Sequence, residues 1–251
     1  MIALIAAAAL AALGWRCRWL TWDGAVAAAI VGAAVLGFGG WAWAGALVAF
    51  FVSGTALTAL GRGRKAQPEH RGRGRDAMQV LGSGGVAAAI CVLWETGIGA
   101  GHLRLVLPAA FLGSLASSAA DTWGTELGML SPHPPRLITT WQRVPPGTSG
   151  GISPAGCLAA ASGAALVAAV GASGDWRAFN AAWIAGVLAM FLDSALGATV
   201  QASFVRRDGS VGEDREPGGR LVRGVAWITN SVVNLFATLA GALFAALIYG
   251  R

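Results

Sequence analysis

Residues 104–130 read RLVLPAAFLGSLASSAADTWGTELGML. Between Arg104 and Asp121 the run carries no charge, and the whole stretch exceeds the ~20 residues that cross a ~30 Å hydrocarbon core as a helix. It reads as a membrane span with Asp121 inside it. Apolar runs near that length recur along the chain, with candidate spans at about 1–14, 22–38, 41–60, 77–96, 104–130, 150–172, 178–204 and 224–249. The composition agrees. Of 251 residues 55% are hydrophobic and only 12% charged, with a mean hydropathy of +0.62, against roughly 25% charged in soluble domains. The expectation is an all-α, polytopic transmembrane helix bundle of about seven to eight spans, forming a single integral membrane domain over residues 1–251. The first and third spans are the weakest. The 37 glycines, with many alanines and serines, suit close helix packing.

Met1–Leu13 resembles a signal-peptide core, but no positive region precedes it and Arg16 and Arg18 follow, so it reads as a short first span. Cys17, Cys91 and Cys157 are isolated, with neither a CxxC pair nor a neighbouring histidine, and read as small packing residues.

Charge is distributed unevenly between the connections. All but three of the 18 Lys and Arg fall in four of them: Arg16 and Arg18; Arg62, Arg64, Lys65, Arg71, Arg73 and Arg75; Arg136 and Arg143; Arg206, Arg207, Arg215, Arg220 and Arg223. Arg104, Arg177 and Arg251 remain for the other side. The positive-inside rule then places the four basic connections in the cytoplasm and both termini outside, in a bacterial-type cytoplasmic membrane. This bias accounts for the net charge of +6, so nucleic-acid binding is not expected. The Arg62–Arg75 run reads as a topology marker, with attraction to anionic lipid or a phosphorylated ligand as the alternative.

Ionisable residues at membrane depth are costly and usually functional. Asp121 lies in Ser114–Glu126 and Asp193 in Phe191–Gln201. The two stretches resemble each other, as a parallel repeat would, though so short a similarity can arise by chance. Asp121, Asp193 and Asn234 each sit about nine to eleven residues from the cytoplasmic end of their spans, roughly 14–17 Å deep at 1.5 Å per residue. Asn230 comes one turn before Asn234. Thr125 and Glu126 follow one turn after Asp121, and Gln201 two turns after Asp193, so each helix offers a polar stripe towards the cytoplasm. Carboxylates and side-chain amides suit Mg²⁺, which takes one or two carboxylates and substrate phosphates while keeping several waters. The plainer reading is that these residues hydrogen-bond helices together.

The connection 131–151 ends in Val144-Pro-Pro-Gly-Thr148-Ser149-Gly150-Gly151 ahead of a span. That composition is expected to build a helix N-terminus, whose free amides either bind phosphate or are simply capped by Thr148 and Ser149. It is not a Walker loop, because no GxxxxGK[ST] occurs. His70, His102 and His133 all lie in connections without a partner ligand, and leave a Ser-His-Asp arrangement without support.

Taken in order, Ala120-Asp-Thr-Trp-Gly-Thr-Glu-Leu-Gly128, Pro135-Arg-Leu-Ile-Thr-Thr140, Val144-Pro-Pro-Gly-Thr-Ser-Gly-Gly151, Leu192-Asp-Ser-Ala-Leu-Gly-Ala-Thr-Val-Gln201 and Thr229-Asn-Ser-Val-Val-Asn234 resemble one polytopic membrane family. It includes transmembrane protein 19 and the phytyl-phosphate kinase of vitamin E synthesis, and the resemblance runs over about residues 20–250. It implies a kinase converting an isoprenoid monophosphate to the diphosphate, with CTP as the preferred donor. On that reading Asp121 and Asp193, supported by Glu126, hold Mg²⁺. Asn230 and Asn234 complete the metal shell or orient the acceptor. Arg136, Arg143, Gln201 and the Thr148–Gly151 segment contact the nucleotide. The sequence departs from the family where Ser231 replaces an acidic residue and where Val211–Gly219 lacks cysteines, which weakens a metal role for the last helix. A cation-coupled transporter using Asp121 and Asp193 and a noncatalytic lipid-binding scaffold are the competing readings. A transporter would continue its polar residues through the outer half of the bundle, where few are present.

Overall fold

The computed structural model describes residues 2–61, 74–97, 101–205, 211–213 and 219–251. The basic residues Arg62, Arg64, Lys65, Arg71, Arg73, Arg206, Arg207 and Arg215, together with His70, lie outside the described residues. The chain forms an all-α membrane bundle: α1 Ile2–Arg16, α2 Trp22–Ala34, a π-helical segment Val35–Gly39, α3 Gly40–Gly61, α4 Ala77–Thr96, α5 His102–Gly128, α6 Pro154–Gly171, α7 Trp176–Thr199 and α8 Asn230–Tyr249. Short strands β1 Arg136–Leu137 and β2 Gly151–Ile152 pair antiparallel, and β3 Ser203–Val205 lies between β4 Val211–Gly212 and β5 Arg220–Arg223.

Among the described residues six helical runs are long and apolar enough to cross a membrane. One of them, the 39-residue run Trp22–Leu60, would be roughly 58 Å long if straight, nearly twice the hydrocarbon core. It folds back at Gly40, which takes φ +80°. The two arms return to one level because Arg75 touches both. Its carbonyl accepts from Thr21 at the start of α2, and its guanidinium lies over Phe50 and Phe51 on α3, 5.4 and 5.7 Å from the ring centroids.

Helix α5 is the axis of the bundle. Phe111, Leu115, Ala116, Ala119 and Ala120 are wholly buried on it, and α3, α4, α6, α7 and α8 pack around it. Small residues set the distances, as expected where apolar lipid gives helices no hydrophobic reason to associate. A Cβ on Gly82 of α4 would stand 2.6 Å from the Ser231 carbonyl oxygen, and one on Gly241 of α8 2.6 Å from that of Gly113 on α5. The outer surface carries exposed Leu, Ile and Val along the helices, with exposed Trp22 and Trp227 at one end and Trp41 and Trp176 at the other. Tryptophans at both rims match the interfacial belts of membrane proteins.

The two ends differ in charge. Arg16, Arg18, Arg75, Arg136, Arg143, Arg220 and Arg223 sit at one end, knitted by Arg75 N–H donating to Trp19 O at 2.9 Å and by Ala77 N–H donating to Asp23 Oδ2 at 3.1 Å. At the opposite end Arg104 lies over Trp94, Arg177 donates to the Tyr249 carbonyl, and Tyr249 Oη donates to Asp175 Oδ2 at 2.9 Å. The start of α1 and the end of α8 belong to this second end.

Several helix ends differ from the expected spans. Helix α6 starts at Pro154, not 150, because Ser153 Oγ accepts from Gly156 N–H and proline suits the first helical position. Helix α7 stops at Thr199, and the chain then leaves as a β-bridge from Gln201 to Val225 and as β3. Helix α8 begins at Asn230 instead of 224, since Gly224 takes φ +74° against the Gln201 backbone.

Candidate active site

Four helices converge at the basic end of the bundle. Ser83 of α4, Ser117, Ser118 and Asp121 of α5, Asp193 of α7, and Asn234 and Thr238 of α8 line one narrow crevice. The helices bring them together for the reason that made them visible in the sequence. Asp121, Asp193 and Asn234 occupy similar depths on helices crossing at small residues, and Asp121 and Asp193 descend in the same direction.

Two of the hydroxyls that line the crevice are spent on the scaffold. Ser118 Oγ donates to the Ser83 carbonyl at 2.7 Å and Thr238 Oγ1 to the Gly82 carbonyl at 3.2 Å, tying α5 and α8 to α4. One oxygen each of Asp193 and Asn234 is not. Asp193 is 8% exposed, and its Oδ2, like Asn234 Oδ1, is buried without a hydrogen-bond partner among the described residues. A buried oxygen left unpaired costs about 1–3 kcal/mol, more when charged, and nearly all such groups in folded proteins find a partner. Two such oxygens lie in one crevice beside a second carboxylate, where a cation or a hydrogen-bond donor would satisfy them.

The charges around the crevice come from more residues than the sequence pointed to. Asp121 and Asp193 lie within electrostatic range of each other and of Glu213, and Thr125 hydrogen-bonds to the Asp121 carboxylate one turn later. Arg75 is the cation facing Asp121. Burial lowers its guanidinium to about 10, against the opposing pull of Asp121, so it remains charged at neutral pH. In the sequence Arg75 reads as part of a topology marker and Glu213 as part of a loop short of cysteines. Only tertiary contact separates them from their neighbours in sequence.

The other expected residues are placed differently. Glu126 faces α3, where Thr58 Oγ1 donates to its Oε1 at 2.7 Å. Asn230 opens α8 one turn beyond Asn234 and is not a wall of the crevice. Gln201 is not on a helical stripe, because α7 has ended. It is 1% exposed, and its amide donates to Ser149 Oγ at 3.2 Å, while Ser149 in turn hydrogen-bonds to Glu213. Gln201 therefore clamps the 144–151 loop and the β3–β5 sheet over the end of α7. Residues 148–151 do not form the first turn of α6. Thr148 N–H donates to the Pro145 carbonyl and Gly151 N–H to that of Thr148, so these amides serve the loop. Gly150, at φ +82°, lies against Ala198 where no side chain fits. Arg136 and Arg143 are exposed and paired across a bridge, with Arg136 Nη1 donating to the Trp141 carbonyl at 2.8 Å.

Oxygen donors alone fit a hard divalent cation. No group of three or more His, Cys, Asp or Glu gathers closely enough to hold a metal by itself among the described residues. Two carboxylates and an amide match an ion that shares its coordination with water and substrate.

Fold and crevice together define a polytopic α-helical integral membrane protein with a one-sided polar site inside the bundle. The chain belongs to the family described as Integral membrane protein DUF92, which matches residues 5–242. This is the membrane family to which the five motifs pointed. It is 27% identical over 250 residues to an uncharacterized membrane protein of Methanocaldococcus jannaschii, covering 99% of this chain and 93% of that one. It is 30% identical to Protein PGR of Arabidopsis thaliana, over 80% of this chain and 79% of that protein. Protein VTE6, chloroplastic, of the same plant is 28% identical over 80% of this chain and 56% of its own length. No solved structure matches the chain.

Proposed function

We propose that the protein is a nucleotide-dependent kinase that phosphorylates an isoprenoid monophosphate to the diphosphate, with CTP as donor, at a crevice open to the cytoplasm. The observation that carries this reading is the pair of buried oxygens, Asp193 Oδ2 and Asn234 Oδ1, that find no partner among the described residues and line one crevice with Asp121 between membrane-spanning helices. The family resemblance supplies the substrate class, and the presence of VTE6 among the relatives is consistent with it.

In the proposed reaction an oxygen of the lipid monophosphate attacks the γ-phosphorus of the nucleotide. The bond from that phosphorus to the β–γ bridging oxygen breaks, and the nucleoside diphosphate leaves. Phosphoryl transfer of this kind depends on positioning and charge neutralisation more than on covalent help. A phosphate monoester needs no strong base, which suits a crevice without histidine. What Mg²⁺ supplies when bound is neutralisation of the phosphate oxygens. Asp121 and Asp193 would hold it, with Asn234 completing the set or orienting the acceptor. Arg75 is placed to receive phosphate charge without moving far from Asp121. Ser149 and Gln201 shape the roof, and Arg136 and Arg143 stand at the rim where a nucleotide would approach. Basic connections at this end agree with a cytoplasmic orientation under the positive-inside rule.

A scaffold would leave its buried polar atoms paired, and a transport path would continue through the bundle. Beyond Ser114 the buried positions of α5 are instead apolar, Val106, Leu107, Ala109, Ala110, Phe111 and Leu112 among them. The test is turnover by purified protein in detergent with Mg²⁺, CTP or ATP, and a panel of prenyl monophosphates. Diphosphate product is expected, reduced about 100-fold or more in Asp121→Asn and in Asp193→Asn. Folded protein inert with every donor and acceptor would sink the kinase reading and direct attention to cation flux in liposomes.

A further inference from the structure

A second cavity, of about 400 Å³, opens between the basic ends of α7 and α8, and its walls are apolar: Leu192 and Leu196 from α7, Trp227 and Ile228 from the segment before α8, and Val233 and Phe236 from α8. Its size is that of a small-molecule site. Its position relative to the crevice follows from the helix periodicity. Leu192 and Leu196 are four apart and share a face, as do Val233 and Phe236, three apart. Leu192 and Val233 immediately precede Asp193 and Asn234, which line the polar crevice, and successive residues turn by about 100° on a helix of 3.6 residues per turn. The same two helices thus present carboxylate and amide to the crevice and hydrocarbon to the cavity beside it. Trp227 and Phe236 are exposed, at 65% and 46%, so the cavity is continuous with the lipid-facing surface of the bundle. That surface also carries the exposed Leu188 of α7 and Leu235 and Leu239 of α8.

We infer that this α7–α8 cavity seats the first part of the apolar tail of an isoprenoid monophosphate whose phosphate lies in the adjoining crevice, and that it sets the preference for acceptor chain length. The inference rests on the kinase reading for the identity of the head group. It adds where the tail lies and by which seam the lipid enters: laterally from the bilayer, between α7 and α8. No part of a membrane-dissolved chain then needs to leave hydrocarbon to bring its phosphate to the Asp193 carboxylate.

Two kinds of measurement separate this inference from the reaction on which it rests. In the first, Leu196→Trp, which fills the cavity, and Leu192→Ala, which enlarges it, are compared with wild type on isopentenyl, geranyl and phytyl monophosphate. Leu196→Trp should lower the ratio of kcat/KM for phytyl over isopentenyl monophosphate by about tenfold or more, a difference that a few apolar contacts can produce. Leu192→Ala should shift the same ratio in the opposite sense to a cavity that is blocked, towards the longer or more branched acceptor. In the second, a phytyl monophosphate analogue with a diazirine near the head group is photolysed with wild-type protein and the labelled peptides are sequenced. Labels on residues 192–200 and 227–236, competed by phytyl monophosphate but not by phosphatidylcholine, are expected whether or not turnover is detected. Turnover with an unchanged chain-length ratio in both variants overturns the tail site while leaving the kinase reading intact. Labels elsewhere overturn it too, as does competition by phosphatidylcholine, which would make the cavity an ordinary lipid contact. Correct labelling without turnover on any acceptor would instead retain a prenyl-phosphate site and remove the kinase.

Discussion

Asn234 holds a buried oxygen that no group among the described residues satisfies, and that fact makes opposite demands on stability and on function. Replacing an unpaired polar group by an apolar one of similar shape removes a desolvation penalty of about 1–3 kcal/mol. Asn234→Leu is therefore expected to raise the melting temperature of the detergent-solubilised protein while abolishing turnover, the trade expected of a functional site. A fall in melting temperature would show that the side chain ties helices together and serves no ligand. Glu213 poses a different question, because it acts on the crevice through charge and through Ser149. Removing its charge in Glu213→Gln leaves Asp121 and Asp193 less able to attract a cation. The Mg²⁺ concentration for half-maximal activity should rise roughly threefold to tenfold, the effect of one partly screened charge. An unchanged Mg²⁺ dependence would reduce Glu213 to a loop anchor. Arg75 combines a charge facing Asp121 with stacking on Phe50 and Phe51, and lysine reproduces only the charge. Arg75→Lys should retain folding yet lose at least about tenfold in kcat/KM for the nucleotide, and wild-type kinetics would remove Arg75 from the site.

Between elements, the glycines that set helix distances divide by what lies opposite them. At Gly82 a methyl group meets the Ser231 backbone, which cannot swing aside, and forces α4 and α8 apart. At Gly45 it would sit 3.5 Å from Val170 Cγ1, an ordinary contact. Gly82→Ala should destabilise by about 1–3 kcal/mol, as overpacking does. Gly45→Ala, inside α3, should be neutral or gain up to about 1 kcal/mol from helix propensity. Thermal melts in one detergent compare the two, and equal losses would mean that the α4–α8 crossing is not tight. The same distinction explains what the sequence made legible. Hydropathy shows where a chain must be helical, so all the long apolar runs are found as helices, and Asp121, Asp193 and Asn234 stand out because charge and amide are rare there. It does not show where a helix ends for local reasons. Ser153 and Pro154 fix the start of α6 three residues after the glycines that had read as its N-terminus. Gln201 had read as a residue two turns along a helix, but two- to four-residue strands leave no periodic signal, and it lies beyond α7 in a β-bridge. Arg75 and Glu213 belong to the crevice through contacts between segments far apart in the chain, and no local pattern distinguishes them from neighbouring charges.

For the molecule as a whole, the decisive asymmetry is between its two ends. Crevice, roof loop and small sheet all stand at the end carrying Arg16, Arg18, Arg75, Arg136, Arg143, Arg220 and Arg223, while Arg104, Arg177, the start of α1 and the end of α8 occupy the other. The positive-inside rule reads such a bias as orientation, and the proposed nucleotide-dependent reaction makes the same demand independently, because nucleoside triphosphates are on the cytoplasmic side. The two arguments must give one answer. With Cys17, Cys91 and Cys157 replaced by alanine, single cysteines are introduced as Thr139→Cys in the exposed loop at the basic end and as Arg251→Cys at the exposed C-terminus. A membrane-impermeant maleimide added to intact cells should label Arg251→Cys and spare Thr139→Cys, which should become reactive only after permeabilisation. The reverse pattern would place the crevice away from the nucleotide pool and remove the kinase reading by geometry alone, whatever the purified protein does in detergent. Labelling of both sites in intact cells would mean that the two ends do not face opposite compartments, against the eight-helix path in which the run 22–60 turns back at Gly40.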